Sequence, residues 1–301
     1  MSRVLFLLVP QVHLLDLAGP AQVFSTAADL GYDYTLGYVA EREEVPTAQG
    51  VPIRAGVVWP EVGPEDLVVV PGWRSPVLGD NGQLDASSLR RLSDYHRAGG
   101  TVASVCAGAF ALARAGLLDG RRCTTHHDLQ DELARRYPKA TVVRDVLYVS
   151  DGRVITSAGI ASGIDLALHL VAVRHGAGVA ARIARSMVVY ARRNGEEQQA
   201  SAMLRHRSHL SDVVHRVQDL IDARFTTRLA LADLAAAGGV SQRTLTRLFG
   251  KATGMTPLRY QQVLRVERAE HLIGHGATVE AAARAVGFGD ARMLRRLRGR
   301  L

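Results

Sequence analysis

One pattern occurs twice near the carboxyl end of the chain, and it leaves little freedom in how that part can fold. Leu234-Ala235 recurs as Ala282-Ala283, Gly239 as Gly287, Arg243 as Arg292, Leu245 as Leu294 and Arg247 as Arg296, an offset of 48 to 49 residues. A repeat at a fixed period marks one supersecondary unit used more than once. In the first copy the short helix Leu231–Ala237 is followed by Gly238-Gly239, and Ser241 is placed to cap a second helix, Gln242–Lys251. In the second copy Thr278–Val286 is ended by Gly287, and Asp290 is placed to cap Ala291–Arg300. Each copy reads as helix, turn, helix. With the amphipathic Leu210–Phe225 and the long Pro257–Gly274, the region reads as about seven helices with no strand pattern.

Charge follows the same division. The 301 residues carry a net charge of +8, yet residues 201–301 alone carry +9 and the preceding two hundred carry −1. Arginine interleaved with apolar residues at helical spacing describes folded helices that meet a polyanion, rather than a disordered basic arm. On a helical wheel of Gln242–Lys251, Leu245, Leu248 and Phe249 share one face. Arg243, Arg247 and Gly250 lie opposite, with Thr246 and Lys251 beside them. In the second copy Met293, Leu294, Leu297 and Leu301 share a face, leaving Arg292, Arg295 and Arg296 outward. Arginine can take bidentate positions on guanine or phosphate, and Gly250 leaves room for a close backbone. The 18-residue helix between the copies spans about 27 Å at 1.5 Å per residue, comparable with the roughly 34 Å between successive major-groove faces of DNA.

The first 190 residues follow a different rule. Val4–Val9, Leu67–Val70, Thr101–Val105 and Arg153–Ser157 read as short strands, and Pro20–Leu30, Ala86–Ala98, Ala107–Leu117 and Gly163–His175 as helices between them. Continuous apolar runs fit strands buried on both faces, so the expected architecture is a mainly parallel α/β sandwich. Arg192–Ser201 holds almost nothing to bury and reads as a linker. A content of 47% hydrophobic residues supports a packed core and excludes disorder or collagen-like repeats. Two cysteines, Cys106 and Cys123, are too few for a disulfide framework and fit a reducing compartment. Val4–Val9 is too short for a signal peptide or membrane span, so a cytoplasmic protein is expected.

Ser104-Val105-Cys106-Ala107-Gly108 joins the strand Thr101–Val105 to a helix through small residues, a nucleophile-elbow pattern. A thiol at a helix N-terminus meets the positive end of the helix dipole, which lowers its pKa and favours thiolate. Cys123 reads as core. His126-His127-Asp128 and the pair His271/His275 could suggest a metal, but the spacing supplies no three convergent ligands, so neither metal nor cofactor is expected. No dinucleotide or phosphate-loop fingerprint follows the first strand.

The residues resemble two known families. Ala232-Asp233-Leu234-Ala235, Ser241 through Phe249, Gly254-Met255-Thr256-Pro257, Arg265-Val266-Glu267-Arg268-Ala269 and Val286-Gly287-Phe288 are similar to the AraC/XylS-type DNA-binding domain. The resemblance implies a transcription factor whose two helix-turn-helix units insert into successive major grooves of double-stranded DNA, with RNA polymerase as a further partner; a homodimer is expected from the gain in reach that two such tails give. It places Ser241, Gln242, Arg243, Thr246, Arg247 and Lys251 on one recognition helix and Arg292, Arg295 and Arg296 on the other. Two departures stand out: Leu294 and Leu297 occupy positions where an aromatic core residue is usual, and the closing segment normally found after the second unit is missing past Leu301. They leave open whether that unit docks as firmly or reads phosphates rather than bases.

In the first half, Asp16-Leu17-Ala18-Gly19-Pro20, Val70-Pro71-Gly72-Trp73, the Cys106 elbow, Gly116 to Gly120, Thr124-Thr125-His126 and Thr156-Ser157-Ala158-Gly159 occur in the order seen in the ThiJ/PfpI (class I glutamine amidotransferase-like) fold. Joined to an AraC-type tail, this resembles the GlxA family of regulators. The resemblance implies a flavodoxin-like sensor over residues 1–190, a linker over 191–209 and a DNA-binding domain over 210–301. It also implies a ligand pocket formed by Asp16, Gly72, Trp73, Cys106, Ala107 and His126, with N–H groups near Gly72 and Ala107 facing a ligand oxygen. Superfamily hydrolases carry a histidine directly after the nucleophile, and here Ala107 stands there. Asp16 facing Cys106 is closer to the superfamily's isonitrile hydratases. Three readings stay open for this pocket: a small-molecule effector site without catalysis, a redox sensor using Cys106, and a hydratase or hydrolase using Cys106 and Asp16.

Overall fold

The computed structural model describes residues 2–74, 84–189, 193–196, 199, 206–207, 209–274 and 276–299. They form two compact units, Met1–Gln199 and Ala200–Leu301.

A six-stranded sheet lies at the centre of the first unit, in the order β2 (Tyr34–Val39), β1 (Ser2–Leu7), β5 (Leu67–Val70), β6 (Thr101–Val105), β10 (Val154–Ser157) and β9 (Tyr148–Asp151). Every neighbouring pair is parallel except β9 with β10, which is antiparallel. Side chains alternate across a strand, so the single run at β1 supplies both faces. Val4, Phe6 and Leu8 join one buried cluster, with residues of α1 (Leu14–Asp29) and α5 (Ser162–His175). Leu5, Leu7 and Val9 join the other, with α2 (Ala86–Arg97) and α3 (Gly108–Arg114). Each such side chain withdrawn from water contributes about 1.5–3 kcal/mol, which is why the runs carry no polar punctuation. The remaining helices of this unit are α4 (Gln130–Arg136), preceded by a 3-10 turn at His127–Leu129, and α6 (Ala177–Ser186). Two short strand pairs, β3 (Glu44–Val45) with β4 (Ile53–Arg54) and β7 (Arg122–Cys123) with β8 (Thr141–Val142), flank the sheet.

Helix α1 departs from its expected start at Pro20. It begins at Leu14, and Pro20 lies inside it. Proline removes one i to i−4 hydrogen bond there, but Leu17, Ala21, Val23, Phe24 and Ala27 are all buried on the sheet, and that stripe outweighs the missing donor. The earlier start puts Asp16 in the first helical turn. The described residues Arg193–Glu196 and Gln199, within the stretch that reads as a linker, are tied to this unit. Arg193 reaches the buried Asp165 carboxylate (2.5 Å), Gly195 O accepts from Leu147 N, and Gln199 Nε2 donates to Thr125 O and Val146 O.

Six helices make up the described part of the second unit: α7 (Asp212–Arg224), α8 (Leu231–Gly238), α9 (Gln242–Thr253), α10 (Pro257–Gly274), α11 (Val279–Ala285) and α12 (Ala291–Arg298). They hold two separate cores. Leu234, Leu245, Phe249 and Tyr260 belong to one, with residues of α7. Val266, Ala282, Phe288, Leu294 and Leu297 belong to the other. Helix α10 contributes its first half to one core and its second half to the other. Among the described residues no helix is long and apolar enough to cross a membrane.

Candidate functional sites

Cys106 stands between β6 and α3 with φ at 54°, the left-handed region that non-glycine residues rarely occupy. The strain is fixed from both sides. Cys106 N donates to Ser157 O (3.0 Å), and Thr125 Oγ1 donates to Cys106 O (2.7 Å). Two glycines crowd the residue: a Cβ on Gly72 would lie 2.4 Å from Asp16 Oδ2 and 2.6 Å from Cys106 Cβ, and one on Gly159 would lie 2.3 Å from Cys106 Cβ. Nothing larger than hydrogen fits at either position. A Cβ on Gly108 would lie 2.0 Å from Val70 O, so α3 also needs glycine to leave the elbow this close to β5.

Asp16 is fully buried. Its Oδ1 accepts from Ile160 N (2.6 Å), while Oδ2 has no hydrogen bond of normal geometry among the described residues and lies against the thiol and the Gly72 backbone. Burial raises the Asp16 carboxyl above its ordinary range, with the Ile160 N–H pulling the other way. Burial also pushes the Cys106 thiol well up, and the Asp16 carboxylate adds to the effect. The thiolate expected from the helix N-terminus is therefore not the favoured form. The dipole acts through a helix of only seven residues, and desolvation beside a carboxylate outweighs it.

The structure brings Asp16, Gly72, Cys106 and Ala107 together, with the Ala107 N–H against the sulfur. Trp73 is buried and bridges to Val12 in antiparallel fashion. His126 is half-buried: its Nδ1 accepts from Asp128 N (3.4 Å), its ring lies 4.1 Å from that of His127, and burial lowers its pKa. Asp128 approaches both rings, at 3.6 Å from His126 Nδ1 and 3.4 Å from His127 Nε2, and the three ligand atoms fall within 4.8 Å of one another. The spacing argument against convergent ligands thus fails here, because a 3-10 turn folds three consecutive side chains over one another. His275 lies outside the described residues, as do Arg300 and Leu301. Cys123 is fully buried in the core, and its thiol is pushed up to about 11 by burial. Thr125, Gly159, Ile160 and Gln199 also belong to this neighbourhood. The first two lie within the ordered motifs of the sequence, but their roles depend on contacts across the fold.

In the second unit Ser241 caps α9 through its hydroxyl, which accepts from Thr244 N (3.2 Å). Leu245 and Phe249 are fully buried, and Gln242, Arg243, Arg247 and Lys251 are exposed. Thr246 is half-buried and returns its hydroxyl to Gln242 O. Among the described residues Arg243, Arg247 and Lys251 have no ion-pair partner. Helix α12 differs. Leu294 and Leu297 are buried with Phe288, while Arg295 is paired with Glu280 (2.7 Å), Arg298 with Glu270, and Arg292 loosely with Asp290 (3.9 Å). Arg296 is exposed. Two helices of similar pattern therefore present different fields, one with free cations and one largely neutralised within the unit.

Known proteins share both halves. The DJ-1/PfpI family matches residues 2–173, and a helix-turn-helix domain matches residues 234–300. The HTH-type transcriptional regulator GbdR of Pseudomonas aeruginosa is 30% identical over 209 residues, which are 69% of this chain and 55% of that protein. The chain thus spans just over half the length of that relative. The HTH-type transcriptional regulator GlxA of Rhizobium meliloti is 31% identical over 67% of this chain and 61% of its own length. The isonitrile hydratase of Pseudomonas putida is 34% identical over 55% of this chain and 68% of the enzyme. A solved AraC family transcriptional regulator from Pseudomonas putida shares the fold, with a TM-score of 0.53 and 24% identity over 62% of this chain and all of that one. The chain therefore belongs to the DJ-1/PfpI family and carries an AraC-type helix-turn-helix domain behind its α/β fold.

Proposed function

We propose that the protein is a sequence-specific, double-stranded-DNA-binding transcriptional regulator whose α/β unit senses a small molecule at the Cys106 site. The observation that carries the DNA-binding half is the exposed row of Arg243, Arg247 and Lys251 on α9, opposite a fully buried Leu245 and Phe249. Unpaired cations fixed on a rigid helix suit phosphate and guanine contacts. In this reading α9 enters a major groove, with Ser241, Gln242 and Thr246 at its leading end. Helix α12 engages a neighbouring groove through Arg292, Arg295 and Arg296, more through position than through charge. Regulators named GbdR and GlxA support the assignment. The protein acts as a homodimer beside RNA polymerase, in the compartment that holds the DNA. The test is reversal of two charges: Arg243→Glu with Arg247→Glu abolishes binding to a duplex selected from random sequence by the wild-type chain and leaves the α/β unit folded. Unchanged affinity contradicts the reading.

Sensing without turnover fits the electrostatics of the first unit. A buried thiol held protonated beside Asp16 is a poor nucleophile and a poor target for oxidants, and Ala107 supplies no base. Asp16 Oδ2, buried without a normal hydrogen bond, is a polar atom that a ligand donor can satisfy. In this reading two hydrogen bonds carry the state of the site to the end of the first unit. Thr125 donates to Cys106 O and accepts from Gln199 at its own carbonyl, and Gln199 is the last residue of the first unit. The pairing of Asp16 with Cys106 and the likeness to an isonitrile hydratase favour a second reading, hydration of a small substrate. Turnover of an isonitrile by the wild type and not by Cys106→Ala establishes that reading.

A further inference from the structure

The two cores of the second unit meet at one side chain. Arg265, midway along α10, donates through Nε to Phe225 O, through one terminal nitrogen to Thr227 O (2.7 Å) and through the other to Gly287 O (2.9 Å). Phe225 and Thr227 follow the end of α7 in the first helix-turn-helix unit, whereas Gly287 is in the turn between α11 and α12 in the second. The guanidinium also lies 5.6 Å from the centre of the Phe288 ring, a member of the second core. No carboxylate pairs with it among the described residues, and burial lowers its pKa, so carbonyl oxygens and the face of one ring hold this cation.

The backbones touch at the same point. Gly287 has φ at 82°, and a Cβ there would lie 1.7 Å from Thr226 O. Among the described residues Gln261, one turn earlier on α10, donates to Phe225 O and Thr227 O only, so it ties α10 to the first helix-turn-helix and does not reach the second. A planar fork spreads its five donors over three nitrogens and so reaches three separated carbonyls on two segments, whereas a lysine ammonium presents its three donors from a single atom.

We infer that Arg265 is a positioning residue that fixes the offset between the two reading helices, α9 and α12, and thereby sets the spacing of the two DNA sub-sites the protein accepts. The inference rests on the reading above, in which both helices engage DNA. A rigid brace makes a wrong spacing expensive, because the second helix cannot follow its groove without breaking either the bond to Gly287 O or the two bonds to Phe225 O and Thr227 O. Without the brace, α10 and the backbone contact of Gly287 with Thr226 remain between the two cores, and α12 gains freedom to adjust.

The experiment uses the full chain and a duplex selected from random sequence by the wild type. Related duplexes carry one or two base pairs inserted between the sub-sites, and a further duplex keeps only the α9 sub-site. Wild type is expected to lose about tenfold or more in affinity on insertion, in line with the penalties typical of lost base contacts. Arg265→Gln and Arg265→Lys are expected to bind the selected duplex more weakly and to lose most of that insertion penalty, with binding to the single sub-site unchanged. Gln261→Ala, which leaves the bridge intact, is expected to keep the wild-type penalty. An undiminished penalty in both Arg265 variants overturns the inference, as does an equal loss on the single sub-site, which marks general damage to the first helix-turn-helix. A wild type indifferent to insertion overturns the two-helix reading itself.

Discussion

At the scale of single residues, Cys106 shows what a local pattern contains and what it lacks. The elbow was readable because a strand ending in Val105 and followed by Ala107-Gly108 admits little else. The protonation state was not, because the two influences that decide it, burial and Asp16, come from elements distant in sequence. Replacing Asp16 with asparagine keeps the shape and removes the carboxylate. The thiol pKa then falls, and iodoacetamide modifies Cys106 faster at pH 8, because the thiolate fraction grows about tenfold whenever the pKa drops by one. An unchanged rate shows that the carboxylate does not act on the sulfur. The glycines give a sharper contrast. Gly72→Ala forces a methyl group onto Asp16 and Cys106 and is expected to destabilise the first unit by about 1–3 kcal/mol in denaturant titration. Gly178, in α6 with nothing within 4 Å of its missing Cβ, is expected to gain about 0.4–1 kcal/mol on mutation to alanine.

At the scale of elements, the strands buried on both faces were legible and the edges were not. β5 and β6 fall where their apolar runs stand. β2 carries a glycine and a largely half-exposed face, so its pattern resembles that of a loop, and β9 is short and antiparallel. The boundary of α1 was misplaced because proline ordinarily marks a first turn, whereas tertiary burial decided here. The stretch ending at Gln199 reads as a linker because it contains little to bury. Gln199 itself is held by polar bonds to Asp145, Val146 and Thr125, which hydropathy does not register. Gln199→Ala is expected to leave DNA affinity within about twofold while abolishing the change in affinity produced by a small-molecule extract of the host cells, a loss of coupling rather than of binding. An extract response equal to that of the wild type removes Gln199 from the route.

At the scale of the whole molecule, charge and proton binding act through different units. Burial lowers the pKa of His96, His126 and His175 in the first unit and of His209 in the second. A histidine depressed in the folded state binds its proton more readily when unfolded, so stability falls as pH drops below the ordinary histidine value of about 6.5. The thermal midpoint is expected to decline between pH 7 and pH 5, and His126→Gln to flatten part of that decline; a midpoint independent of pH over that range contradicts it. Asp16 acts in the opposite sense, since its raised pKa adds stability at acid pH that is lost as pH rises through the folded value. The net charge of +8 conceals a division into a nearly neutral first two hundred residues and a strongly basic remainder, and on α9 the cations Arg243, Arg247 and Lys251 have no ion-pair partner among the described residues. The central claim is that these cations meet DNA phosphates. Its most direct test is the slope of log affinity against log salt for the selected duplex, in wild type and in Arg247→Ala. The slope is expected to become shallower by about 0.9 for each phosphate contact removed, whereas an identical slope and affinity in the two chains contradict the claim.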